Sequence, residues 1–203
     1  GAMIQILPVV AGANMPRPLL MSSLVHAAIV PGALLLTAGI LTSQPLALQL
    51  AVLLLGIGIA LFLGAAGHAL VSVRSTNPTI QGLKLALIGL SVTAGLGMLL
   101  AMARDGSFAL PIRQLTSIHL GWGLVGWNLV LLAAVALVVV PMFQITPPFP
   151  AWFARGFSWA ALSVLCLWSI AVGAGWPWPS AFLAGAVVLT VAVFAALTLR
   201  VQH

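Results

Sequence analysis

The side chains best equipped for chemistry in this sequence are histidines. His26 and His68 each stand inside a long apolar run, His119 opens another, and His203 is the last residue. An ionisable group within hydrocarbon is costly, and its presence there points to a functional site. A neutral imidazole offers one lone-pair nitrogen, suited to haem iron or another metal ion, and one N–H that can bond to a carbonyl. The competing reading is a hydrogen bond between helices with no metal, and for each histidine taken alone both readings stand.

The neighbours of these histidines sharpen the first reading. Gly64 precedes His68 by one helical turn, with Ala65 and Gly67 beside it, and small residues at that spacing make a shallow groove for a partner helix or a flat macrocycle. His119 is followed by Gly123 and Gly126 at i+4 and i+7, so a ligand-type nitrogen shares a face with a smooth glycine surface. Ser22 and Ser23 lie one turn before His26 and offer hydroxyls that could fix its tautomer. The candidate cofactor-binding set is therefore His26, His68, His119, Gly64 and Gly123, with the three histidines as candidate ligands to the iron of a b-type haem. Copper is the weaker alternative, resting on Met98 and Met102 one turn apart, which suit lipid or core packing better. Asn128, a polar residue within an apolar run, is expected to bond across helices. No phosphate-binding loop, dinucleotide fingerprint, CxxC pair or serine-nucleophile motif is present, and no catalytic residue is assigned. With one acidic residue, Asp105, the chain is poorly equipped for carboxylate-based ion or proton transport.

The elements that must position these residues follow from composition. The 203 residues are 63% hydrophobic and 4% charged, against about a quarter charged in an ordinary soluble domain, and the mean hydropathy is +1.25. The bilayer is the solvent. Crossing it takes about 20 apolar residues whose backbone bonds are satisfied internally, and the runs here lack the alternation of a barrel strand. The fold expected is an all-α, polytopic membrane bundle of about six helices. Its spans run roughly from Leu19 to Leu41, Leu46 to Val73, Ile80 to Ala103, Leu115 to Val140, Ala151 to Val172 and Ser180 to Leu199. Residues 1–203 read as one transmembrane domain, and no loop is long enough for a soluble one.

The net charge of +6 comes from basic residues scattered singly between apolar runs, so they are topology signals and not a nucleic-acid patch. Six spans place Arg17, Arg74, Lys84, Arg155 and Arg200 on one side and Arg104 and Arg113 on the other. The positive-inside rule makes the five-charge side cytoplasmic. Trp176 and Trp178 then anchor the opposite interface and Trp152 the cytoplasmic one. The lone Cys166 reads as a small buried hydrophobe. The opening Gly1-Ala2-Met3-Ile4-Gln5-Ile6-Leu7-Pro8-Val9-Val10 lacks the basic region of a signal peptide. It reads as the last turns of a helix, so that the chain is expected to be an N-terminally incomplete fragment. Pro8 in that stretch and Pro141 in Val139-Val140-Pro141-Met142-Phe143 suggest an internal repeat with an offset of about 133 residues.

The fourth span carries a resemblance. His119-Leu120-Gly121-Trp122-Gly123-Leu124-Val125-Gly126-Trp127, running into Val139-Val140-Pro141-Met142-Phe143-Gln144-Ile145-Thr146-Pro147-Pro148-Phe149-Pro150, resembles a pattern in bacterial membrane proteins related to haem-copper oxidase subunit I and to the NnrS nitric-oxide-response proteins. The opening stretch, through Gly12, is similar to the end of an earlier helix in the same proteins. The resemblance covers about 45 residues. It implies a multi-pass protein of a bacterial inner membrane that binds haem and acts in electron transfer or nitric oxide handling, with His119 as the best-matched ligand. It also implies that the six helices are part of a larger bundle like that of oxidase subunit I, with partners among the subunits of a larger membrane complex. The alternative is a non-enzymatic accessory subunit whose Gly and Trp residues serve packing and anchoring. The chain lacks an adjacent His pair for a copper centre and has no Tyr to cross-link to His, which argues against an autonomous oxygen reductase. Counting inward from the span ends puts His26 and His68 within about 5 Å of one height, so the two are expected to face one another across the first two spans and to share one haem near the cytoplasmic side.

Overall fold

Proline sets where the helices begin. In a computed structural model, which describes residues 2–104 and 110–201, Pro18, Pro45, Pro78 and Pro177 are each the first residue of a helix. That position has no intrahelical partner for an N–H, so the missing donor costs nothing there. The elements are α1 (Ala2–Ala11), α2 (Pro18–Thr42), α3 (Pro45–Ser72), α4 (Pro78–Arg104), α5 (Ile112–Gly121), a π-helical segment (Trp122–Leu129), α6 (Val130–Gln144), α7 (Ala151–Gly173) and α8 (Pro177–Val201). Among the described residues there is no strand. Helix α5, the π segment and α6 run on as one helix from Ile112 to Gln144, and with α2, α3, α4, α7 and α8 they make six helices long and apolar enough to cross a membrane. The chain is an all-helical, multi-pass membrane protein, and its six long helices match the six predicted spans to within a few residues at each end. Asp105 and His203 lie outside the described residues.

Large apolar side chains such as Leu34, Leu41, Phe182 and Val188 stand exposed along these helices. In water such surfaces would associate; against acyl chains they are the ordinary outer face of a span. Cys166 belongs to this outer face, exposed on α7, and so departs from the buried position expected of it. Residue type could not decide this, because in a span both faces are apolar.

The described chain falls into two units. The first holds α1, α2, α3, the second half of α4 and the start of α5. Its α2–α3 hairpin closes on small residues. A Cβ added at Gly39 would come within 2.9 Å of Leu48, one at Gly32 within 2.9 Å of Leu55, and one at Gly58 within 2.7 Å of Ile29. Each contact pairs residue numbers adding to 87, so the two helices hold one antiparallel register along their length. Lipid gives helices no hydrophobic reason to associate, and close backbone approach over glycine substitutes for it. Helix α1 caps itself: Gly12 takes φ +61°, Gly12 N–H donates to Pro8 O at 3.1 Å and Ala13 N–H to Leu7 O at 3.3 Å, with Leu7 fully buried.

The second unit holds the first half of α4, the rest of α5, the π segment and α6 to α8. Phe149, Phe153, Phe157 and Phe194 form its aromatic core, with ring centroids 4.7 Å apart for Phe153 and Phe157 and 5.9 Å for Phe157 and Phe194. The suggested repeat is borne out locally. Helices α1 and α6 each carry a proline three residues before their last residue, end 133 residues apart at Ala11 and Gln144, and continue into a left-handed residue, Gly12 or Ile145. Helices α2 and α7 then begin at the same offset, at Pro18 and Ala151.

Candidate functional site

Glycine brings the backbone of α4 onto the π segment. A Cβ on Gly89 would run into the carbonyl of Gly126 and come within 2.9 Å of Trp127 N, so this crossing admits only glycine. One turn further along α4, Thr93 lies against Gly123, where an added Cβ would sit 3.4 Å from the Thr93 methyl. The next turn of the facing helix presents His119, whose Nδ1 lies 3.0 Å from the Thr93 carbonyl oxygen. His119, Gly123 and Gly126 therefore share one face, as their spacing predicted, and that face meets α4.

The carbonyl can only accept, so Nδ1 carries the proton of this hydrogen bond, and Nε2 is the lone-pair nitrogen of the neutral ring. Thr93 adds a second restraint, its hydroxyl donating to Gly89 O at 2.8 Å within α4. The ring is half-buried. An imidazole held by one nitrogen with the other left for a ligand is the arrangement found at metal-ligating histidines.

The wide turns beside His119 have their own supports. Trp122 is buried, its indole N–H donates to Ser169 Oγ at 3.0 Å, and Ser169 in turn donates to Leu165 O at 2.7 Å. Gly126 lies against the Trp122 ring, where a Cβ would come within 2.8 Å. Asn128 was expected to bond across helices; instead its side-chain amide donates to Gly123 O at 2.8 Å within its own helix. The carbonyls of a π-helical stretch are differently spaced from those of an α-helix, and a side chain five residues on can reach one. π segments of this kind recur at functional sites.

His68 lies elsewhere, exposed at one end of an open apolar groove of about 510 Å³ whose walls include Pro16, Met21, Ile57 and Gly64. Nothing stands within 4 Å of a Cβ added at Gly64 or Gly67, so the smooth surface expected beside His68 is open. His26 does not line this groove. It is exposed on α2, next to Val25, which is buried with Ala28, and at about 100° per residue it stands about 140° round the helix from Met21. The register of 87 sets His68 opposite position 19, seven residues from His26, which is about 10 Å along the axis at about 1.5 Å per residue. The hairpin thus separates the two histidines that were expected to face each other at nearly one height. Ser22, expected behind His26, donates to Leu19 O at 2.9 Å within its own turn. Among the described residues no three His, Cys, Asp or Glu side chains are grouped so as to hold one metal ion. Met98 packs beside Gly56, where a Cβ would meet its sulfur at 3.5 Å.

The sequence pointed to His119 and its glycines but missed Thr93 and Gly89. Thr93 acts through its backbone carbonyl, which every residue type supplies, so no side-chain signal marked it. Gly89 was one of 20 glycines, and only the crossing with Gly126 singles it out. Comparison with protein-family models, with curated proteins and with solved structures gives no match.

Proposed function

We propose that this chain is a haem-binding integral membrane protein of the haem-copper-oxidase-like and NnrS-type group, set in a bacterial inner membrane and serving electron transfer or nitric oxide handling. The observation that carries this reading is the hydrogen bond from His119 Nδ1 to the Thr93 carbonyl, which leaves Nε2 as the nitrogen that would hold a haem iron. A bound b-type haem would supply a one-electron couple and an iron that takes nitric oxide. The chain would supply the imidazole, its orientation and apolar surroundings that tune the iron. His119 is the first ligand in this reading. His68, with Gly64 and the open groove beside it, is the second candidate, and His26 the third.

The test is the visible spectrum of the purified full chain, oxidised and dithionite-reduced. A sharp low-spin band that persists in His26→Ala and is lost in His119→Ala is the expected result. A band lost only in His68→Ala moves the ligand to the groove, and a colourless wild-type protein with no recoverable haem defeats the proposal. That last outcome favours a second reading, an accessory subunit packed in a larger complex, for which the supporting observation is α8: along its 25 residues it buries only Phe194.

A further inference from the structure

The starts of α4 and α7 border a polar cavity of about 750 Å³ in the second unit, lined by Ser75, Thr76, Asn77, Gln81, Ala154 and Arg155 among others. We propose that this cavity binds a phosphate-type oxyanion, and that in the membrane the anion is the headgroup of an acidic phospholipid.

Seven Lys and Arg residues stand against one Asp, so the chain carries an excess of positive charge. Arg155 is the cation in this cavity. Its guanidinium is a planar fork of five N–H donors that matches phosphate oxygens two at a time.

Gln81 turns its side-chain amide back to Thr76 O at 3.5 Å, and at two other wall residues the side-chain acceptor is engaged and donors remain. Ser75 Oγ accepts the Asn77 backbone N–H at 3.1 Å, which leaves its hydroxyl proton to donate. Asn77 Oδ1 accepts the Thr79 N–H at 2.9 Å and so caps α4, which leaves the two amide N–H groups of Asn77. Helix α7 adds the positive end of its dipole, since it starts after Pro150 with no side-chain cap. Both helices begin where a span leaves hydrocarbon, the depth at which lipid phosphates lie. A basic pocket between spans at that depth suits a lipid headgroup.

The proposal is tested on the purified full chain in a neutral detergent, with dioleoyl phosphatidylglycerol and dioleoyl phosphatidylcholine titrated separately and bound lipid counted by native mass spectrometry. Phosphatidylglycerol binds the wild-type chain more tightly than phosphatidylcholine does. Arg155→Gln weakens that binding about five- to tenfold, whereas Arg200→Gln, at the end of α8, leaves it unchanged. Asn77→Asp keeps the cap on α4 and sets a negative charge against the anion, so it lowers binding in a folded protein. Equal binding of the two lipids, or phosphatidylglycerol binding unchanged in both Arg155→Gln and Asn77→Asp, overturns the proposal. A parallel melt in millimolar sodium phosphate separates the sources. Protection of wild type but not of Arg155→Gln, with no preference for phosphatidylglycerol, would retain the anion site and overturn its assignment to lipid.

Discussion

Replacing Gly89 by Ala is the smallest change that tests the crossing at the centre of the candidate site. The added Cβ would meet the Gly126 carbonyl and Trp127 N, all of it backbone, so no side-chain rotation relieves the overlap and α4 must move off the π segment. Overpacking of this kind costs about 1–3 kcal/mol, and contact with backbone belongs at the upper end. Alanine returns about 1 kcal/mol over glycine through helix propensity, leaving a net loss of about 2 kcal/mol. Gly64→Ala is the reference, because nothing lies within 4 Å of its new Cβ and propensity acts there alone, giving a gain of about 1 kcal/mol. The two variants should differ by about 3 kcal/mol in unfolding measured in one detergent. Moving α4 also withdraws the Thr93 carbonyl from His119, so the Nδ1 nitrogen resonance of His119 should shift in Gly89→Ala and stay in place in Gly64→Ala. A Gly89→Ala protein as stable as Gly64→Ala, with the His119 resonance unmoved, would refute the reasoning.

Trp122→Phe keeps the buried ring but removes the indole donor to Ser169, whose hydroxyl stays bonded to Leu165; a loss of about 1 kcal/mol in unfolding is expected, and unchanged stability would show that the bond contributes nothing. Gly123→Leu should disturb the protein more than Leu124→Ala, since position 123 faces Thr93 while Leu124 is 64% exposed, and the order of their melting temperatures decides it. In a Cys166→Ala background, a cysteine at Ser75 should label from the cytoplasm and one at Trp178 from the periplasm; strong periplasmic labelling at position 75 would invert the topology.

The spans were legible because the bilayer demands about 20 apolar residues at a stretch and because proline marks four of the helix starts. The repeat was legible for a similar reason: a proline in the last turn and a left-handed residue after it leave a local signature in the chain. The relation of His26 to His68 was not. Counting inward from each span's end ignores where the two helices touch, and the Gly39–Leu48 and Gly32–Leu55 contacts fix a register in which α3 carries His68 level with the first turn of α2. The π segment was hidden too, since its Trp, Gly, Leu and Val residues read equally well as an unbroken α-helix.

That widened stretch has a bearing on how this helix can change. A π turn holds more residues than an α turn, so the face that carries His119 and the face that carries Ala133 and Ala134 are out of phase by the angle of the surplus residue, about 100°. Deleting one residue between Trp122 and Leu129 would let the helix relax to regular pitch without breaking it. The half bearing His119 would keep its place against Thr93 while α6 kept its seat against Gly82, because the π turn already takes up the residue that is lost. Insertions and deletions are usually confined to loops; a deletion inside this widened stretch would be absorbed, whereas one in the regular turns of α6 would rotate its two sides against each other by about 100°. The facing of His119 relative to α6 thus depends on where along the helix a residue is lost as much as on the identity of any side chain around it.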